Sequence, residues 1–138
     1  MTESPAPAAG GGTETLLVVE NEAPIRSLLG QGLERLGYTV LSAESGEVAL
    51  RLVQEHGGPI ALVITDVVMP DMSGPELVRR LEAVRPGIRA LFMSGYADDA
   101  LGEENGLPAD VNFIQKPFSP GALARRVREI LDRAQSML

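Results

Sequence analysis

The chain has 138 residues, enough for one domain, and its 44% apolar content is that of a globular protein with a real core. With no cysteine, disulfides and thiolate metal sites are excluded, and the net charge of −7 argues against nucleic-acid binding, which needs a basic face. No apolar run approaches the roughly 18 residues that span a bilayer. Met1–Gly12 has neither the basic nor the apolar region of a signal peptide, so a cytoplasmic location without membrane contact is expected.

Residues 1–13, rich in Pro, Ala and Gly, cannot bury enough apolar surface to offset their ordering entropy and read as a flexible linker or tail. From residue 14 to 138 the pattern alternates strand and helix as one domain. Leu16–Val19 is a short apolar run, the mark of a strand buried on both faces, and it ends in Glu20 and Asn21. Ile25, Leu28, Leu29, Leu33 and Leu36 recur at helical spacing, with Pro24 in the first turn and Gly37 as a C-terminal cap. Gly30 and Gly32 each weaken this helix by up to about 1 kcal/mol. Tyr38–Ala43 reads as a second strand, and Ser45 precedes a helix over Glu47–His56 that Gly57, Gly58 and Pro59 stop.

Ile60–Thr65 reads as a third strand running into Asp66, followed by a loop to Gly74 and a helix over Pro75–Val84. Ile88–Met93 is a fourth strand ending at Ser94 and Gly95. Ala97–Gly106 is acidic with a weak apolar face and reads as a short or mobile helix. Val111–Gln115 is the fifth strand, and Ser119 caps a last helix striped by Leu123, Val127, Ile130 and Leu131. The whole is a (βα)5 α/β domain with a doubly wound five-stranded parallel sheet.

In such sheets ligands bind beyond the carboxyl ends of the strands. Glu20, Asn21, Asp66, Ser94 and Lys116, the chain's one lysine, all fall there. Oxygen donors of this kind suit a hard cation such as Mg2+. A carboxylate beside such a cation is a competent nucleophile toward phosphorus, and a lysine and a hydroxyl neutralise and bind the transferring oxygens.

The segments LLVVENE, ITDVVMPDMSG, LFMSGYA and FIQKPF, in that order and spacing, resemble those of receiver domains of two-component response regulators, over Glu14 to about Gln135. The resemblance implies the flavodoxin-like strand order 2-1-3-4-5. It implies Asp66 as phosphoacceptor, Lys116 as the lysine on the phosphoryl group, Ser94 as the switch hydroxyl and Phe113 as the switch aromatic. Glu20, Asn21, Asp66 and the Val68 carbonyl would hold Mg2+, and the Lys116–Pro117 bond would be cis. The implied role is a signalling module that takes a phosphoryl group from a sensor histidine kinase or phosphotransfer protein. It is not an enzyme beyond catalysing its own aspartyl phosphorylation and dephosphorylation.

One position departs from the family. Receivers present two acids after the first strand, whereas here the second is Asn21. One charge at about 4 Å and an effective dielectric of about 20 is worth at most about 4 kcal/mol, so weakened Mg2+ binding is expected. Val68 and Tyr96, which would flank the path of a hydrolytic water, are apolar and bulky, and a long-lived phospho-Asp66 is expected. The same asparagine motivates an alternative, a pseudo-receiver that works as a phosphorylation-independent interaction module. An unrelated enzyme on this fold is disfavoured, because no general-base histidine lies near the site.

Several residues carry plainer readings as well. Glu20 and Asn21 suit a loop that helps cap the first helix, and Phe113 suits a core aromatic. His56, the lone histidine, belongs to a helix end at the surface. Arg125, Arg126, Arg128 and Arg133, and the acidic Asp98, Asp99, Glu103 and Glu104, read as solvated faces or as a homodimer or effector surface over 97–135. With no helix-turn-helix or second domain in the pattern, either a stand-alone receiver or a piece of a larger protein is expected, and the wording is most similar to receivers at the C-terminus of hybrid sensor kinases.

Overall fold

The computed structural model describes residues 11–95 and 112–136, with side chains described up to residue 133. The elements run β1 (Thr15–Val19), α1 (Ala23–Glu34), β2 (Thr39–Ala43), α2 (Gly46–Glu55), β3 (Leu62–Asp66), α3 (Gly74–Val84), β4 (Arg89–Ser94), β5 (Phe113–Gln115) and α4 (Pro120–Ser136). The five strands are all parallel, in the order β2-β1-β3-β4-β5, as the resemblance implied. Element limits differ from expectation by a residue or two. The helix expected over Ala97–Gly106, and Val111 of the fifth strand, lie outside the described residues.

The parity of the strands builds the layers. Leu16, Val18, Leu62, Ile64, Leu91 and Met93 point to one face, where Leu29 and Leu33 of α1 and Leu123, Val127, Ile130 and Leu131 of α4 cover them. Leu17, Val19 and Val63 point to the other, under Ala49 and Val53 of α2 and Leu77 and Leu81 of α3. Because both faces are covered, every residue of β3 and Leu16–Val19 of β1 is buried. Those strands therefore read as unbroken apolar runs rather than alternating ones.

Serine hydroxyls start three of the helices by accepting first-turn N–H groups. Ser45 accepts from Val48, Ser73 from Glu76 and Ser119 from Ala122. Gly37 turns the chain from α1 into β2 at φ +103°, a conformation that side chains rarely adopt. One expected core position differs: Leu28 lies in the helical apolar pattern, yet it is 56% exposed.

Gly11 and Gly12, expected in the flexible stretch, are bonded to the domain. The Gly12 N–H donates to the Leu36 carbonyl, and the Gly11 carbonyl accepts from Arg128. Arg128 of α4 also donates to both oxygens of Glu14 and to the Tyr38 hydroxyl, and it pairs with Asp132. The paired guanidinium holds Glu14 below the usual carboxylate range, and burial raises Tyr38.

Candidate functional site

At the carboxyl ends of β1, β3, β4 and β5 the backbone ladder carries the polar residues to one rim. Asp66 pairs in register with Met93, and Ser94 pairs with Gln115. One step beyond the strands, the Glu20 N–H donates to the Ala43 carbonyl and the Lys116 N–H to the Ser94 carbonyl. All five residues singled out in the sequence, Glu20, Asn21, Asp66, Ser94 and Lys116, line one open cleft of about 360 Å³, together with Val68. Glu20, Asp66 and Ser94 are buried, whereas Asn21 and Val68 sit exposed at the mouth.

The lysine joins the two acids. Its Nζ lies 2.8 Å from Glu20 Oε1 and 2.8 Å from Asp66 Oδ1. The other Glu20 oxygen accepts the Glu22 N–H at 3.0 Å, and the Glu20 carbonyl accepts from Arg26. Burial drives the Asp66 carboxyl up to about 6; Lys116 opposes the rise and the neighbouring Glu20 charge adds to it. Burial alone would lower the Lys116 ammonium, but its bonds to Asp66 and Glu20 outweigh this and hold it above its usual value. Two carboxylates against one ammonium leave the floor of the cleft one negative charge in excess.

That excess, and an all-oxygen donor set, fit a hard divalent cation that keeps several waters. Glu20, Asp66, the Asn21 amide and the Val68 carbonyl are the groups available to it. Among the described residues, no group of three acidic, histidine or cysteine side chains gathers anywhere to hold a metal. The floor of the cleft thus offers such a cation two buried carboxylates, with Glu22 exposed on its lining.

The loop between β3 and α3 forms one wall. The Val67 N–H donates to the Met93 carbonyl, and the Gly74 N–H to the Val67 carbonyl. A side chain at Gly74 would overlap the Asp66 carbonyl oxygen, so only glycine permits this close return. Met69 is buried in the α2/α3 layer, and Thr65 Oγ1 donates to its sulfur at 3.7 Å. At the tip, Asp71 accepts the Gly46 and Glu47 N–H groups that open α2, at 3.3 and 3.0 Å. Nothing in the sequence marked Asp71, because its partners lie 24 and 25 residues away.

Phe113 is half-buried against a small cluster of Val67 and Phe92, which agrees with its core reading. The Lys116–Pro117 bond is cis. Beyond Lys116, the side chains of Ile25, Leu28, Leu29, Pro117 and Phe118 line an apolar groove of about 220 Å³. Of the last-helix arginines, Arg125 and Arg133 are exposed, Arg126 pairs with Glu129, and Arg128 turns inward to Glu14 and Tyr38. His56 is half-buried at the end of α2, where its carbonyl accepts from Arg85. Tyr96, Asp98, Asp99, Glu103 and Glu104 lie outside the described residues.

Residues 16–128 match the family model described as the response regulator receiver domain. The chain is similar to the sensor kinase CckA of Brucella abortus (strain 2308), 44% identical over 88% of this chain and 13% of the kinase. It is also similar to the response regulator receiver protein CpdR of the same organism, 34% identical over 84% of this chain and 95% of that protein. Among solved structures it resembles a CheY-like receiver domain protein from Methanospirillum hungatei JF-1. That match has a TM-score of 0.78 and 28% identity, and covers 92% of this chain and 100% of the other. The match to CpdR thus spans nearly that whole protein, whereas the match to CckA spans a small part of it. The fold, the family match over most of the domain and the acidic cleft agree: the chain belongs to the response regulator receiver domain family, the signalling modules that interact with histidine kinases or phosphotransfer proteins.

Proposed function

We propose that Asp66 accepts a phosphoryl group from a histidine kinase or phosphotransfer protein and that this switches a protein-interaction face. The observation that carries the reading is Asp66 itself, a buried carboxylate held by Lys116 at 2.8 Å at the floor of an open cleft. With Oδ1 engaged by Lys116, Oδ2 is the attacking oxygen. An oxygen–phosphorus bond forms as the donor's bond to phosphorus breaks, and the donor keeps the electron pair. Lys116 stays beside the phosphoryl oxygens and offsets their charge, and the Ser94 hydroxyl binds one of them.

Receiver domains generally bind Mg2+ at the phosphorylation site. Here Glu20, Asn21, Asp66 and the Val68 carbonyl would hold it, more weakly than a site with a second acid. When bound, the ion supplies positive charge against the transferring group. Ser94 drawn toward the phosphoryl group, and Phe113 buried further beside Phe92, would shift a pre-existing equilibrium read out on the 97–135 face, by an effector or a second copy. The apolar groove beside Lys116 is suited to a partner that must reach the cleft. Such a partner implies a cytoplasmic setting, with residues 14–138 as the receiver and 1–13 as a linker. The 44% identity to a sensor kinase supports a receiver of the hybrid-kinase kind. Val68, apolar and 62% exposed at the cleft mouth, orients no hydrolytic water, which supports a long-lived phosphoryl group.

A second reading, a pseudo-receiver, draws on a specific observation: the two buried carboxylates on the cleft floor, Glu20 and Asp66, are already bridged by Lys116, so the site is partly neutralised without a metal. Intact mass after incubation with acetyl phosphate, with and without Mg2+, separates the two. A Mg2+-dependent gain of one phosphoryl group, absent in Asp66→Asn and lasting for minutes, supports the receiver. No gain either from acetyl phosphate or from a histidine kinase leaves the pseudo-receiver.

A further inference from the structure

We propose that Asp71 is a positioning residue for the cleft: by binding the first turn of α2, it fixes the loop that carries Val68 past Asp66. The inference rests on the phosphoacceptor reading above. Asp71 lies five residues beyond Asp66, at the tip of the loop, and touches nothing in the cleft. Its two oxygens accept separate N–H groups, Gly46 at 3.3 Å and Glu47 at 3.0 Å. Both belong to the positive end of α2, where a carboxylate is favoured by the helix dipole as well as by the bonds.

An apolar contact doubles the link. Met72 packs so closely on Gly46 that a β-carbon there would overlap it. The helix does not need Asp71 for its own start, because Ser45 already accepts the Val48 N–H. The carboxylate therefore acts between elements, joining the loop to α2.

The loop has anchors at its base as well. Val67 and Gly74 are tied to the sheet and to each other, and Met69 is buried under α2 and α3. Val68, between two anchored residues, presents its side chain outward at 62% exposure, so its orientation depends on the backbone alone. Without the Asp71 bonds, Met69–Ser73 is held by the buried Met69, the sliding Met72 contact on Gly46 and the base, and the peptide between Val68 and Met69 gains freedom. That peptide carries the carbonyl proposed to face the cation.

The test uses the full chain as wild type, Asp71→Ala, Asp71→Asn and Ser45→Ala. Two quantities are measured: amide order parameters of Val68 and Met69 in metal-free protein, and the rate at which acetyl phosphate modifies Asp66. Asp71→Ala is expected to loosen Val68 and slow modification by about tenfold, the low end of what losing a supporting partner does to a metal site. Asp71→Asn, which keeps one acceptor oxygen, should fall between. Ser45→Ala should lower stability while leaving both readouts at the wild-type level. If Asp71→Ala and Ser45→Ala lower stability alike and Val68 stays as ordered as in the wild type, Asp71 only caps α2 and the proposal is overturned. If the wild type takes up no phosphoryl group, the phosphoacceptor reading fails instead. The order of Val68 in Asp71→Asn and Asp71→Ala then still decides the tether.

Discussion

Replacing Asp66 by Asn is expected to make the folded protein more stable while abolishing phosphoryl acceptance. The exchange keeps the side-chain volume and removes a buried carboxylate whose acidity burial has moved from 3.8 to about 6. In the unfolded chain the group ionises at its ordinary value, so between about pH 4 and pH 6 the folded state holds a proton that the unfolded chain has released. Stability linked to this group is whole below the unfolded value and is lost as the pH rises through about 6. A gap of about two pH units, at about 1.4 kcal/mol each, sets a ceiling near 3 kcal/mol for the gain at neutral pH. That net shift already contains the opposing pull of Lys116, so losing this bond is included and a gain of about 2–3 kcal/mol is expected. Urea unfolding followed by circular dichroism would show this as a higher midpoint at unchanged slope near pH ~7.5, shrinking as the pH approaches about 4. An Asn variant no more stable than the wild type at neutral pH, or a gain indifferent to pH, would refute the argument that burial strains this carboxylate.

Two further outcomes test the site and the loop beside it. Asn21→Asp should tighten Mg2+ binding at least about tenfold from a wild-type Kd weaker than about 0.1 mM, because it restores one charge near the cation. Calorimetry giving a wild-type Kd tighter than that, or equal affinities, would contradict the role assigned to position 21. Gly74→Ala should cost about 1–3 kcal/mol, since the new β-carbon meets the Asp66 carbonyl, a backbone atom that cannot swing aside. Gly57→Ala, where nothing lies within 4 Å, should stay within about 0.5 kcal/mol of the wild type by the same unfolding assay.

Much of this architecture could be read in the sequence for a physical reason. Strands covered on both faces must be apolar throughout, so Leu16–Val19 and the run into Asp66 stood out, and each ended at a polar residue. Parallel strands point their carboxyl ends one way, which brought Glu20, Asp66, Ser94 and Lys116 together before any coordinate did. The helix starts at Ser45 and Ser119 were legible from the serine, whereas Ser73, inside an apparent loop, did not stand out as the cap of α3. Contacts between distant segments were not. Asp71 looks like one more loop acid until α2 folds against it. Arg128 looks like its neighbours Arg125 and Arg126 until the helix turns it toward Glu14 and Tyr38. Leu28 fits the apolar rhythm of α1, but it faces the groove beside Pro117 and Phe118 and stays exposed. Periodicity fixes a helix's mean facing direction and says less about the margins of its buried stripe.

The Arg128 guanidinium binds the incoming chain at Gly11 and Glu14, at the end of the sheet remote from the cleft, and it does so from the last helix. A five-residue strand is roughly 17 Å long. The described chain therefore enters at Gly11, about a strand's length away from Asp66. Its heading is keyed to α4 rather than to the sheet alone. A rigid reporter placed there would act as a pointer needle, swinging when α4 tilts, and a flexible one would lose that reading.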